Sequence, residues 1–230
     1  MRGKTMDVLI ACEESQTVCA EFRKKGHRAF SADIQKCSGD HPEWHILGDV
    51  LPILNGNCEF TLQNGERERQ EGKWDLIIAH PPCTYLCLSS QKHCNVEKYG
   101  QKAIERIKRR DEAIKFFMQF VNADCDKIAI ENPVGVMSKH YRKADQYFHP
   151  LHFGHPTKKL TGLWLKGLPK LKPTKIVEQE FHTSSTGRKW DKWFWDSSLI
   201  QNHEERSRFR SKTFKGIAEA MAEQWGNNEL

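Results

Sequence analysis

Pro81-Pro82-Cys83 stands directly behind an apolar stretch, Trp74 to Ala79, and Glu131-Asn132-Pro133 stands behind a second, Lys127 to Ile130. In an open α/β sheet, chemistry collects just past the carboxyl ends of the strands, so two such ends would offer a thiol and a carboxyl group to one crevice. A thiolate is strongly nucleophilic and leaves readily after reaction. Together with an acid it suits methylation at carbon 5 of cytosine, a poor nucleophile until something adds at carbon 6. Cys83 would add to the ring. Glu131 would hydrogen-bond nitrogen 3 and the exocyclic amine, and must then hold a proton near neutral pH, which burial against apolar neighbours favours. A ring inside a duplex is out of reach, so the target must be flipped out or presented single-stranded.

The flanking sequence supplies the elements that would position these groups. Asp7 to Cys12 is a short apolar run that reads as a buried parallel strand. Ser15 is the expected N-cap of a helix that buries Val18, Cys19 and Phe22 and ends at Gly26. His27 to Ala32 makes a second strand closed by Asp33, and His45 to Leu47 a third with Gly48-Asp49 at its end. This opening is the first half of a doubly wound, mostly parallel α/β sheet. Asn55 to Gly72 is polar, carries Asn64-Gly65, and reads as a surface excursion. Gln101 to Val121 reads as a long amphipathic helix burying Ile104, Ile107, Ile114, Phe117, Met118 and Val121; its basic face, with Lys102, Arg106 and Arg109, reads as a solvated surface. Leu160 to Leu165 is an expected strand, residues 167–205 are irregular, aromatic and basic, and Gly216 to Trp225 is a closing helix.

Composition sets the outer limits. The 230 residues suffice for one sizeable core, with 38% hydrophobic and 29% charged residues as in ordinary globular proteins. A net charge of +6 permits nucleic-acid binding without indicating it. No apolar run approaches a membrane span and no signal-peptide core is visible, so a cytoplasmic protein with no membrane partner is expected. The eight cysteines then read as free thiols, mostly small buried residues.

These residues together resemble the cytosine-5 DNA methyltransferase family, and more closely its compact members from bacteriophages and prophages. The resemblance spans most of the chain. It implies the S-adenosylmethionine-dependent, Rossmann-like methyltransferase fold, DNA as partner, and a role such as protection from restriction. Residues 7 to 14 take the place of the family's first cofactor loop, so Ala11, Cys12, Glu13 and Glu14 would meet S-adenosylmethionine. Asp33, with Ile34, would take the ribose hydroxyls; Asp49, with Val50, the adenine amino group; Pro81 would border the same site. Cys83 matches the family's nucleophile and Glu131 its carboxyl. Lys158 and Lys159 stand where the family carries paired arginines near the target base, and would lower the pKa of Cys83. Residues 1–166 and 206–230 would form the catalytic core, with 167–205 a short insertion in place of a target-recognition domain.

Two departures from the family pattern stand out. The cofactor loop, Ala11-Cys12-Glu13-Glu14-Ser15, contains no glycine, and lysine replaces the planar fork of arginine. Plainer readings accompany the catalytic one. Cys83 could be a buried structural cysteine, Glu131-Asn132-Pro133 a strand-ending turn, and Asp33 and Asp49 ordinary loop residues. Zinc at Cys83, Cys87, Cys94, His80 and His93 lacks regular spacing. The chemistry could also serve a free cytosine nucleotide or RNA, or the fold could be degenerate and only bind nucleic acid or protein.

Overall fold

Alternation along the first strand sets the layout. In β1 (Asp7–Ala11), Leu9 and Ala11 enter one hydrophobic cluster while Val8 and Ile10 enter another on the opposite face. A strand covered on both sides requires this. The structure, a computed structural model, describes residues 5–226. After β1 come α1 (Thr17–Lys24), β2 (Arg28–Asp33), β3 (His45–Leu47), β4 (Cys58–Thr61), β5 (Arg67–Gln70) and β6 (Leu76–Ala79). Then follow α2 (Leu88–Gln91), α3 (Val96–Tyr99), α4 (Gln101–Val121), β7 (Ile128–Pro133), α5 (Met137–His140), β8 (Gln146–Phe148) and β9 (Thr161–Lys166). β10 (Phe181–Thr183), β11 (Lys189–Asp191), α6 (Lys192–Ser198), α7 (His203–Ser211) and α8 (Lys215–Trp225) complete the chain.

Seven strands form one sheet in the order β3-β2-β1-β6-β7-β9-β8. The pairs β1–β2, β2–β3, β1–β6 and β6–β7 are parallel, and β9 runs antiparallel to both β7 and β8. Strand order reverses between β1 and β6, the point at which such sheets open a crevice. This is a doubly wound, mostly parallel α/β sheet of Rossmann-like layout.

On one face, Phe117 and Phe120 of α4 pack with Ile77, Ile128 and Trp164. On the other, Val18 and Phe22 of α1 meet Ile217, Met221 and Trp225 of α8. Each fully buried aliphatic or Phe side chain contributes roughly 1.5–3 kcal/mol relative to exposure. Among the described residues no helix is long and apolar enough to cross a membrane.

The expected strands all form, with shifts of a few residues at their ends. Four expectations need correction. Residues 55–72 are not a bare surface loop: β4 and β5 pair as a hairpin, with Phe60 and Leu62 buried and Arg28 tied to Glu68 at 2.9 Å. In α4 the buried residues are Ala103, Phe117 and Phe120, while Ile104 is 49% exposed. The N-terminal half of α4 lies against α3 and the segment after Cys83, so only its C-terminal half meets the sheet. Residues 167–205 are more ordered than the composition suggests, holding the β10–β11 hairpin and α6. Ser15 does not cap α1. Its hydroxyl meets Thr17, and the cap comes from elsewhere.

Candidate active site

The turn after β1 is made without glycine. Cys12 and Gln16 take left-handed backbone conformations, at φ 59° and φ 57°, positions that glycine normally fills. Gln16 is held by hydrogen bonds in both directions: its Nε2 donates to the His41 carbonyl at 2.8 Å and its Oε1 accepts from His41 N at 3.1 Å. The two adjacent carboxylates then divide their work. Glu13 caps α1, accepting from the backbone N–H of Val18 at 2.6 Å and of Cys19 at 3.2 Å. Burial nevertheless pushes the Glu13 carboxyl up, against the pull of His80 and these two amides. Glu14 is 6% exposed and neither carboxylate oxygen has a hydrogen-bond partner. Buried polar groups are ordinarily hydrogen-bonded, so Glu14 has acceptor capacity to offer a ligand.

Beyond β6, the Pro81-Pro82-Cys83 loop is bound to β7 and the segment after it. Asn132 Nδ2 donates to the Pro81 carbonyl at 2.7 Å, Val136 N to Leu86 O at 2.8 Å, and Leu88 N to Val134 O at 3.2 Å. Gly135 allows this approach, since a Cβ there would lie 1.9 Å from the Leu86 carbonyl oxygen. Glu131-Asn132-Pro133 is not a turn behind the strand but the last half of β7, paired with Leu163, Gly162 and Thr161 of β9.

His80 is the residue that sequence reasoning missed. Its Nδ1 lies 3.0 Å from Glu131 Oε2, and both side chains are largely buried. Burial alone would lower the His80 pKa, but its hydrogen bond and charge contact with Glu131, with Glu13 beyond, raise it. Burial would raise Glu131, but His80 and then Lys159 hold it below its usual range. Each partner thus favours the charged form of the other, so Glu131 is drawn toward the carboxylate and away from the protonated acid that the sequence led one to expect. Cys83 is reached by solvent at the mouth of the loop. Its thiol is pushed up to about 11, first by loss of solvation, then by Glu131 and Cys87, with Lys159 opposing. The thiol is therefore protonated in the free protein, also contrary to expectation.

Of the two lysines only Lys159 belongs to this group. Its ammonium donates to the Arg210 carbonyl at 2.8 Å and lies over the Trp193 and Phe214 rings. Lys158 is exposed, and its field falls on His149 instead.

A cleft of about 730 Å³ runs along these loops. One wall carries Cys12, Glu13, Glu14, Asp33, His80 and Cys83. The other is mainly basic and comes from α7 and the turn after it, with Arg206, Arg208, Arg210 and Lys212 beside Glu204. Asp33 keeps its carboxyl raised through burial while accepting from Gln35 N at 2.9 Å. The other sequence candidates, Glu131, Lys158 and Lys159 included, do not line the cleft; Glu131 reaches it only through His80. Asp49 is exposed and accepts from Leu51 N at 3.1 Å, though its charge still acts on Cys12. Ile34 is 79% exposed, and Ala11, Val50 and Pro81 are buried behind the wall. Among the described residues, no group of three or more His, Cys, Asp and Glu could hold a metal ion.

No family model matches the chain, and no curated protein matches it. The solved structures that overlap with it include two methyltransferases. One is assigned as a DNA modification methyltransferase encoded within an E. coli prophage; it is 14% identical over 74% of this chain and 52% of its own, with a TM-score of 0.40. The other is the Entamoeba histolytica methyltransferase EhMeth, 14% identical over 77% of this chain and 58% of its own, with a TM-score of 0.44. The chain thus spans little more than half the length of either. Overlaps of this quality assign no role to any residue.

Proposed function

We propose that this chain is an S-adenosylmethionine-dependent methyltransferase acting on carbon 5 of cytosine in DNA through a Cys83 adduct. The observation that carries the reading is the convergence of Cys83, the His80–Glu131 pair and Lys159 at the carboxyl ends of β6 and β7, beside a wall of carboxylates. An acidic wall suits a cationic cofactor, and the basic wall opposite suits a polyanion. Glu14 would take the ammonium group of the cofactor, being a buried carboxylate with no hydrogen-bond partner, and the half-buried Asp33 its ribose hydroxyls. The bound cofactor supplies the electrophilic methyl group.

The protonation states support a specific order of events. The Cys83 thiol must lose its proton to become nucleophilic, and the Glu131 carboxylate stands ready to accept it. As sulfur bonds to carbon 6, electron density moves toward nitrogen 3, where Glu131 returns that proton. Lys159 favours the thiolate, and His80 holds Glu131 in place between the two transfers. Carbon 5, now enamine-like, takes the methyl group. A base then takes the carbon-5 proton, the thiolate is expelled, and the nitrogen-3 proton passes back to Glu131, which restores the neutral ring.

Residues 167–205 would carry what recognition there is, on a catalytic core formed by residues 1–166 and 206–230. Duplex DNA carrying 5-fluorocytosine tests the reading, because fluorine at carbon 5 blocks the elimination that frees the thiol. The wild type should be trapped in the presence of S-adenosylmethionine, Cys83→Ser should not, and Cys87→Ser should be. Trapping that survives loss of Cys83 overturns the assignment. Methyl transfer to dCMP or RNA but not to DNA would move the substrate while keeping the chemistry.

A further inference from the structure

A second cavity, of about 420 Å³, lies on the outer side of the Cys83 loop between Tyr85 and the first turns of α4. Tyr85, His93 and Tyr99 supply its rings, and Lys102, Arg106 and Arg109 its cations, with Glu105 the single carboxylate on its wall. Lys102, Arg106 and Arg109 recur at intervals of four and three residues, so they share one helix face.

The cations are only partly used by the protein. Arg106 Nε donates to the Ser90 carbonyl at 3.3 Å, with its guanidinium carbon 5.2 Å from the Tyr85 ring centroid. Arg109 Nη1 meets the Tyr85 hydroxyl at 3.0 Å. A guanidinium has five N–H donors in a planar fork, so most remain unspent after one bond each. Among the described residues no carboxylate lies within ion-pairing distance of Lys102, Arg106 or Arg109; Glu105 and Glu112 act on Arg109 only through their fields. A concave site with excess positive charge, free forks and aromatic faces has the chemistry of a phosphate joined to a flat ring.

We propose that this pocket binds a nucleotide of the nucleic-acid strand outside the target base, its backbone phosphate held by Lys102, Arg106 and Arg109 and its base against Tyr99 or His93. The inference rests on the reading of Cys83 as the residue that engages DNA, because Tyr85 follows Cys83 by two positions on the same loop. A strand seated here would bridge that loop and α4, so binding and positioning of the nucleophile would be linked.

The test uses the intact protein, fluorescent cytosine-containing oligonucleotides read by anisotropy across salt, and S-adenosylhomocysteine titrated by calorimetry. Lys102 is exposed and makes no contact that holds the fold, so Lys102→Glu and Lys102→Ala should fold normally. Lys102→Glu should weaken oligonucleotide binding about tenfold, and Lys102→Ala should lower the salt slope by about one. Tyr99→Leu should weaken single-stranded binding by about five- to hundredfold through lost stacking. S-adenosylhomocysteine affinity should stay unchanged in all three. If the wild type binds oligonucleotides and the variants match it, this pocket is not the site, although the methyltransferase reading stands. If the variants lose affinity for dCMP but not for oligonucleotides, the pocket takes a free nucleotide and the strand proposal is wrong. A wild type that binds no nucleic acid overturns both readings.

Discussion

His80 Nδ1 and Glu131 Oε2 lie 3.0 Å apart, while His80 Nε2, buried, has no hydrogen-bond partner. One nitrogen thus anchors the carboxylate and the other keeps a donor in reserve. The pair is where proton handling and fold stability meet, since both side chains are taken largely out of water.

Stability should therefore follow pH through this pair. Glu131 lies below its ordinary value of 4.5, so its contribution is present above that value and is lost as pH falls through the lowered pKa. His80 lies above its ordinary value of 6.5, so its contribution is complete below that value and is lost as pH rises through the raised pKa. The pair should contribute fully between about pH 4.5 and 6.5 and less on the alkaline side. His80→Ala should cost about 3–5 kcal/mol at pH 6, because it leaves a buried charge without its partner. Denaturant melts from pH 5 to 9 would show the gap between wild type and His80→Ala narrowing with rising pH. A constant gap would mean that the ring packs there without being charged.

The Cys83 thiol should be sluggish in the free protein. With a pKa of about 11, its thiolate fraction at pH 7 is on the order of 10⁻⁴. Iodoacetamide labelling of the Cys83 peptide, followed by mass spectrometry, should accelerate with pH well beyond 9. Lys159→Ala should slow it further, since Lys159 is the cation that favours the thiolate. Rapid labelling at pH 7 would contradict the protonated state.

Cofactor affinity should divide the acidic residues into two sets. Glu14→Gln and Asp33→Ala should each weaken S-adenosylmethionine binding by about 10- to 100-fold, the range for losing a hydrogen bond to a charged group. Asp49→Ala should do less, because its carboxylate is exposed and serves the Leu51 amide. Calorimetry on the three variants decides this. Equal losses at Asp33 and Asp49 would mean that the cleft reshapes around its ligand.

Two changes should report on the backbone of the site. Glu13→Ala removes the cap from α1 and should cost about 1–2 kcal/mol in thermal or denaturant unfolding. Gly135→Ala forces the Leu86 carbonyl away and should cost about 1–3 kcal/mol. It should also slow 5-fluorocytosine trapping at temperatures where the fold is intact. A Gly135→Ala protein with wild-type trapping would show that the loop position is not critical.

DNA affinity should fall steeply with salt and the recognised site should be short or degenerate. The basic wall of α7 would supply phosphate contacts, and Arg188, stacked 4.0 Å over Trp190 on the β10–β11 hairpin, would approach bases. Each good base contact discriminates by about 1–3 kcal/mol. Bisulfite sequencing of a methylated random library would expose a long, strict site if one exists.

Much of this was legible in the sequence. Apolar runs ending in Pro81-Pro82-Cys83 and Glu131-Asn132 marked two strand ends, and the sheet brings those ends together. The His80–Glu131 contact was within reach. Parallel register pairs Ala79 with Ile130, so the next residue on each strand had to be a neighbour. A lone histidine ahead of two prolines carries no pattern, and its partner lies 51 positions away. The protonation states were not legible, because they depend on which charge stands beside which buried group. The cap on α1 was misread for a similar reason. Ser15 has the usual composition of a cap, but left-handed Gln16 lets Glu13 reach the helix amides instead. The stripe on α4 was drawn through Ile104 because periodicity reveals a face without revealing what lies opposite it.

The reversed direction of β9 has a consequence for the candidate site. Six residues of strand span about 20 Å, so a parallel β9 would begin on the far edge of the sheet and deliver Lys159 there. Running the other way, β9 starts where β6 and β7 finish, with Thr161 beside Pro133. The approach to a strand then serves the same rim as the exits of two others. Inverting a single strand thereby brings a third stretch of chain to the rim where Cys83 and the His80–Glu131 pair stand.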